Sequence, residues 1–169
     1  MSAWAQRGSF MSIDELKSQA FAGEDVQWQM LWINKNQRHQ IEAILGRSFK
    51  SLRVRYLGGG SKTLWVFEEI GKELPITVGV VVDNGKITQV EVMEYRESRG
   101  GEVRYPFFTQ QFQGLGLASA EQAKLDGSID GITGATLSVR ALKKIATLAL
   151  FCHQLTPFAH VQNNQLSNL

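Results

Sequence analysis

The residues best equipped for chemistry in this 169-residue chain lie in one stretch, Asp130-Gly131-Ile132-Thr133-Gly134-Ala135-Thr136-Leu137-Ser138. It alternates carboxylate and hydroxyl groups with residues of little bulk, and it runs directly into VRALKKIATLALFCHQL. That run reads as a long amphipathic helix. Leu142, Ile145, Ala146, Ala149 and Cys152 share one side, and Arg140, Lys143, Lys144 and Thr147 share the other. A loop that delivers small residues and a Thr to a helix start sets backbone N–H groups without helical acceptors beside a hydroxyl, which suits a phosphate. Gly134 and Ala135 let a large group approach the Thr136 hydroxyl. The stretch is not a P-loop, because no Lys follows its last Gly at the required place. Small residues ahead of a helix are also ordinary turn chemistry, so the residues by themselves leave both readings open.

The elements that must position this stretch can be read from periodicity and caps. Ser12-Ile13-Asp14-Glu15 is a capping-box pattern that opens a helix over Ile13–Phe21, with Gly23 as its stop. Val26 to Ile33 reads as a strand with Trp28 and Trp32 on one face. Asn34 is an N-cap for a second helix to about Leu45, ended by Gly46. Strands are expected at Leu52–Leu57 and Thr63–Ile70, joined by Gly58-Gly59-Gly60-Ser61, which reads as a flexible hairpin turn. Arg53 and Arg55 alternate with apolar residues and put two positive charges on one strand face. Ile76–Val82 and Lys86–Glu94 flank Asp83-Asn84-Gly85, the clearest hairpin signal in the chain. The pattern predicts an α+β domain, an antiparallel sheet with helices packed against it. Its expected extent is residues 12–156, between a flexible N-terminus (1–11) and a C-terminal tail (157–169) rich in Asn and Gln.

Composition narrows the function classes. A net charge of +2, with no Lys/Arg run along one face, argues against nucleic-acid binding. The single cysteine, Cys152, excludes an internal disulfide and a multi-cysteine metal site, and its place on the apolar helix side predicts a buried structural thiol. No apolar run reaches the roughly 20 residues needed to span a bilayer. Ala3-Trp4-Ala5 has the small-x-small pattern of a secretory cleavage region, although the charged and apolar parts that precede such a site are missing. It is read both as a signal-peptide remnant and as a plain N-terminus. The three histidines are scattered and no G-x-S-x-G elbow is present. That weighs against a hydrolase using Ser138 or Thr136 as nucleophile.

The stretch at 130–138 resembles the D-x-x-[ST]-G-A-T-x-[ST] signature of the FMN-binding domain family, and it matches every fixed position. The family includes the C subunit of the sodium-pumping NADH:quinone reductase and the G subunit of the Rnf complex. The resemblance implies that Thr136 carries FMN through a phosphoester bond, installed by a flavin transferase that uses FAD. Asp130, Thr133, Gly134, Ala135, Leu137 and Ser138 would then form the motif that the transferase recognises and the phosphate nest. A second element supports it. Glu97-Ser98-Arg99-Gly100 is similar to the family's E-T-P-G turn, and Phe108-Thr109-Gln110-Gln111-Phe112 is similar to its F-x-x-Q-F element. The resemblance covers about residues 76 to 155. Arg99 stands where Pro is usual and Thr133 where Ser is common.

From this resemblance Glu97, Ser98 and Arg99 are expected near the flavin, with Arg99 as a candidate phosphate partner. The charges of Arg96, Arg99 and Arg104 also fit a solvated network with Glu97 and Glu102. Tyr95, Tyr105, Phe107, Phe108 and Phe112 crowd the same segment; most belong to a core, and one or two could flank a flavin ring. The chain has no dinucleotide fingerprint and no iron–sulfur cysteines. The expected function is an extracytoplasmic electron carrier, with a flavin transferase and membrane or soluble redox proteins as partners. The alternative is a non-covalent module for FMN or another anionic ligand.

Overall fold

Alternation in β5 and β6 sets the architecture. The structure is a computed structural model, and it describes residues 7–119 and 121–160. β5 (Pro75–Asp83) turns through Asn84 and Gly85, both at positive φ, into β6 (Lys86–Tyr95). The pair is the hairpin predicted from Asn-Gly. β2 (Trp28–Trp32), β3 (Arg53–Gly59) and β4 (Lys62–Ile70) extend it, and a short β1 (Gly8–Ser9) pairs with the far side of β6 at Tyr95 and Glu94. The result among the described residues is a six-stranded antiparallel sheet in the order β1-β6-β5-β4-β3-β2, and the chain continues from β6 into a short helix, α3 (Pro106–Thr109).

Two faces are covered unequally. Val78, Val80 and Val82 of β5 point toward α4 (Thr136–Gln154), where they join Tyr56, Trp65 and Leu142 in the main core. Val81 points the other way and meets Leu16 and Phe21 of α1 (Ile13–Phe21) with Leu57, Leu64 and Met93. α2 (Lys35–Leu45) packs against α4 and contributes Ile41 and Leu45 to the main core. Both early helices have the predicted caps. Ser12 accepts from Glu15 N–H at 3.1 Å, and Asn34 and Gln37 form a reciprocal capping box before Gly46 stops α2 in the left-handed region.

Strand polarity brings one end of the sheet into focus. β2, β4 and β6 finish at the end where β3 and β5 begin, as the pairs Trp32↔Arg53 and Ile70↔Pro75 show. The loops around the N-terminus of α4 lie at that end.

Several boundaries differ from the sequence reading. Gly58 and Gly59 belong to β3 rather than to the turn; a side chain at Gly58 would collide with the Phe158 ring, so close approach explains this glycine. Thr147, expected on the polar side of the last helix, is buried and its hydroxyl donates to Lys143 O at 2.7 Å, which satisfies it inside the helix. β2 is shorter than Val26–Ile33, although both end residues are buried, Val26 in the α1 cluster and Ile33 in the main core. Pro157–His160 forms a 3₁₀ turn, and Phe158 packs edge-on against Tyr56. Ala3-Trp4-Ala5 and the tail from Val161 lie outside the described residues. Among the described residues no helix is long and apolar enough to cross a membrane.

Candidate functional site

The turn after β6 is held from three directions. Glu97 accepts from the backbone N–H groups of Glu73 and Leu74 at 2.6 and 2.7 Å, which fastens the β4–β5 turn to it. The Glu73 amide is the largest of the influences that hold the Glu97 carboxyl below its ordinary pKa, and the Leu74 amide adds to it, because hydrogen bonds to the ionised form favour it. The Tyr95 hydroxyl donates to Arg99 O and lies 2.9 Å from Ser138 Oγ. Burial raises the Tyr95 pKa, so the phenol remains a neutral donor at ordinary pH. Gly100 sits at φ +82°, and a Cβ there would lie 2.7 Å from both Ser138 Oγ and Tyr95 OH. Only glycine fits this crossing of turn and helix.

The N-terminus of α4 meets this turn. Thr136 is the first helical residue and is exposed; Ala135 precedes it without a side-chain cap, and no acidic residue lies in the first turn. α1 and α2 are both capped by side chains, whereas α4, the longest helix, leaves its first N–H groups for an external acceptor. Those donors and the positive end of the helix dipole favour an anion beside the Thr136 hydroxyl.

Thr136 borders two clefts. The first, of about 550 Å³, is lined by the Glu97–Gly100 turn, by Lys72 and Glu73, by Tyr95 and by Gly134–Ser138. The second, of about 710 Å³, lies between α2 and α4. Ile44, Leu125, Ile129 and Val139 give it apolar walls, and Lys124, Arg140, Lys143 and Lys144 give it charge without any carboxylate. One cleft is polar and tied by hydrogen bonds; the other can take a flat apolar group with negative charge at its rim.

The sequence-predicted residues separate into two sets. Glu97, Ser98, Arg99, Gly134, Ala135, Thr136, Leu137 and Ser138 line the first cleft together. Asp130 and Thr133 are exposed and do not line it. Asp130 is held through its backbone instead. Its N–H donates to Gln111 Oε1 at 2.7 Å, and its carbonyl accepts from Gln111 Nε2 at 3.2 Å. Phe108 and Phe112 on either side of Gln111 are fully buried. This is how the Phe108–Phe112 element positions the loop.

The arginines disperse. Arg96 pairs with Glu94 and Glu68, Arg104 stacks between Phe10 and Tyr105, and Arg99 alone of the three lines the cleft. Of the aromatic cluster, Tyr95 alone lines either of the two clefts. His153 is buried with Nδ1 2.7 Å from Thr63 Oγ1 and lies roughly 22 Å along α4 from Ser138. His39 is exposed on α2. Neither forms a base for Ser138 or Thr136.

Sequence reasoning missed Lys72 and Glu73, which reach the site from the β4–β5 turn, and the whole α2 wall. No local pattern marks them. Arg140 and Lys143 did carry a signal, as two cations one helical turn apart just after the motif.

An exposed Thr hydroxyl, unpaired helix N–H groups and an apolar, cationic cleft fit the phosphate and the ring of a flavin mononucleotide. A search of curated proteins finds no match. A model of the FMN-binding domain family matches residues 71–150, the segment that holds the Glu97 turn, Gln111 and the start of α4. By this match residues 71–150 are assigned to the FMN-binding domain family.

Proposed function

We propose that this protein is an electron-transfer flavoprotein whose FMN is joined to Thr136 by a phosphoester bond. The observation that carries the reading is the exposed Thr136 hydroxyl on the first turn of an uncapped helix, between two clefts of contrasting chemistry. The attachment joins Thr136 Oγ to the phosphorus of the FMN half of FAD. It breaks the P–O–P bond, releases AMP and passes the hydroxyl proton to a base supplied by a flavin transferase.

The chain's own residues do three things for the cofactor. The first-turn N–H groups of α4 hold phosphate oxygens, with Arg99 and Lys72 at the rim of the same cleft. The walls at Ile44, Leu125, Ile129 and Val139 exclude water from one side of a planar group. Arg140 and Lys143 favour whatever negative charge develops there. Bound flavin supplies one- and two-electron redox chemistry. The reading makes the protein a carrier between partner proteins, because the chain shows no dinucleotide fingerprint of its own. The family resemblance supports a site outside the cytoplasm, where a tether retains a cofactor that is not readily replaced.

Co-expression with a flavin transferase in an exporting host, followed by in-gel flavin fluorescence under denaturing conditions, tests this. Fluorescence that survives denaturation and disappears in Thr136→Val supports the reading. Flavin that is released on denaturation assigns the non-covalent module instead. Fractionation of the same cells tests the extracytoplasmic location.

A further inference from the structure

The end of the sheet that carries the site, and the β2 edge running away from it, carry exposed apolar side chains. Trp28, Met30 and Trp32 form a row along edge strand β2 on the α1 side of the sheet, beyond the strands that α1 covers, and Trp32 is 65% exposed. Leu52 (60%) sits at the start of β3, Ile70 (53%) at the end of β4 and Leu74 in the turn that follows. That turn is the one fastened to Glu97, and Ile70 and Leu74 flank Lys72 and Glu73, which line the first cleft. Clusters of this size on one side of a protein mark a contact surface.

Its charge indicates what it contacts. Arg55 lies over the Trp28 ring at 4.0 Å and Arg53 over the Trp32 ring at 5.8 Å. Among the described residues no ion pair engages either arginine. Lys50 and Lys72 are exposed at the same end beside one exposed carboxylate, Glu73, while Glu68 is bound to Arg96 and Glu97 to backbone amides. A second copy on this surface would set arginines against arginines, which opposes self-association. A protein partner needs a contiguous packed core at the centre of the contact. Here the apolar points beyond the β2 row sit on separate strand ends and a turn, with Arg53 and Lys72 beside them. A bilayer accepts such points one by one, with Trp at interfacial depth and Arg on lipid phosphates.

We propose that this end of the protein, with the adjoining β2 edge, docks peripherally on a phospholipid surface carrying anionic headgroups, through Trp28, Trp32, Leu52, Ile70 and Leu74 with Arg53 and Arg55. Docking this way brings the Thr136 site to the bilayer surface, so that the membrane selects which redox proteins meet it. The surface itself does not depend on flavin attachment.

The test uses the full chain without flavin and flotation with phosphatidylcholine vesicles, with and without phosphatidylglycerol. Binding is expected on the anionic vesicles and is weakened by salt. The double variant Arg53→Gln/Arg55→Gln lowers it about 20-fold. Trp32→Ala with Leu52→Ser lowers it about tenfold or more. Thr136→Val floats like the parent, so a failed attachment chemistry leaves this result standing. Three results overturn the proposal: no flotation, flotation that neither double variant changes, or a concentration-dependent dimer that Trp32→Ala dissolves. The last would assign the surface to a second copy.

Discussion

The two faces of the sheet are built from the same strands by simple alternation, yet one is sealed and the other is partly open. The difference lies in the helices. α4 has 19 residues and at about 1.5 Å per residue reaches across the sheet. α1 has nine and covers roughly the width of three strands at about 4.8 Å spacing. Under α4 the core is continuous and includes a buried polar chain, Trp65 Nε1 donating to Thr63 Oγ1, which meets His153 Nδ1. Under α1 a smaller cluster ends before β2, and the tryptophan row stays in solvent. The sealed face holds α4 rigid so that its N-terminus can present Thr136; the open face is left to make contacts.

That contrast can be broken at its strongest point first. Trp65→Ala removes a fully buried ring stacked on Tyr56 at 4.6 Å and strips Thr63 of a donor, and should cost about 3–5 kcal/mol in urea unfolding. Leu16→Ala on the other face empties a buried position in the smaller cluster and should cost about 2–3 kcal/mol, because a thinner layer collapses more readily. Equal losses on both faces would contradict the distinction.

Tyr95→Phe probes the seam between the core and the site. It removes the hydroxyl shared by Arg99 O and Ser138 Oγ at a global cost of about 1 kcal/mol. Amide hydrogen exchange should show the larger response locally, at residues 97–100 and in the first turn of α4. Glu97 gives a pH signature. Its folded pKa is lowered, so its contribution is present above the ordinary carboxylate value and is lost as pH falls through the lowered one. Protection of the Glu73 and Leu74 amides, measured against their intrinsic exchange rates, should therefore fall only well into acid, and Glu97→Gln should abolish that pH dependence. The smallest effect is expected at Trp32→Ala, within about 0.5 kcal/mol of the parent, because the side chain is mostly in water already.

How much of this was legible in the sequence depends on how local each signal is. Caps and turns are local. Ser12, Asn34 with Gln37, and Asn84-Gly85 put α1, α2 and the β5–β6 hairpin where the chain was read to have them. Eight of the expected site residues line one cleft, and they could be named together because they sit in two short runs. The Gly58–Gly59 pair was misread as a turn because its cause is the Phe158 ring, a hundred residues away in the chain. Thr147 was misassigned because helical spacing cannot show that a helix is covered nearly all round in its C-terminal half. The α2 wall of the second cleft and the role of Lys72 are products of strand order, which no motif encodes.

The central claim concerns one atom, Thr136 Oγ. Co-expression with a flavin transferase, tryptic digestion and fragmentation of the peptide from Leu125 to Arg140 tests it most directly, because that peptide also contains Ser128, Thr133 and Ser138 as competing hydroxyls. The account predicts a gain of one FMN less one water, localised to Thr136 and absent in Thr136→Val. An unmodified peptide in the presence of active transferase, or a flavin on one of the other three hydroxyls, would contradict it.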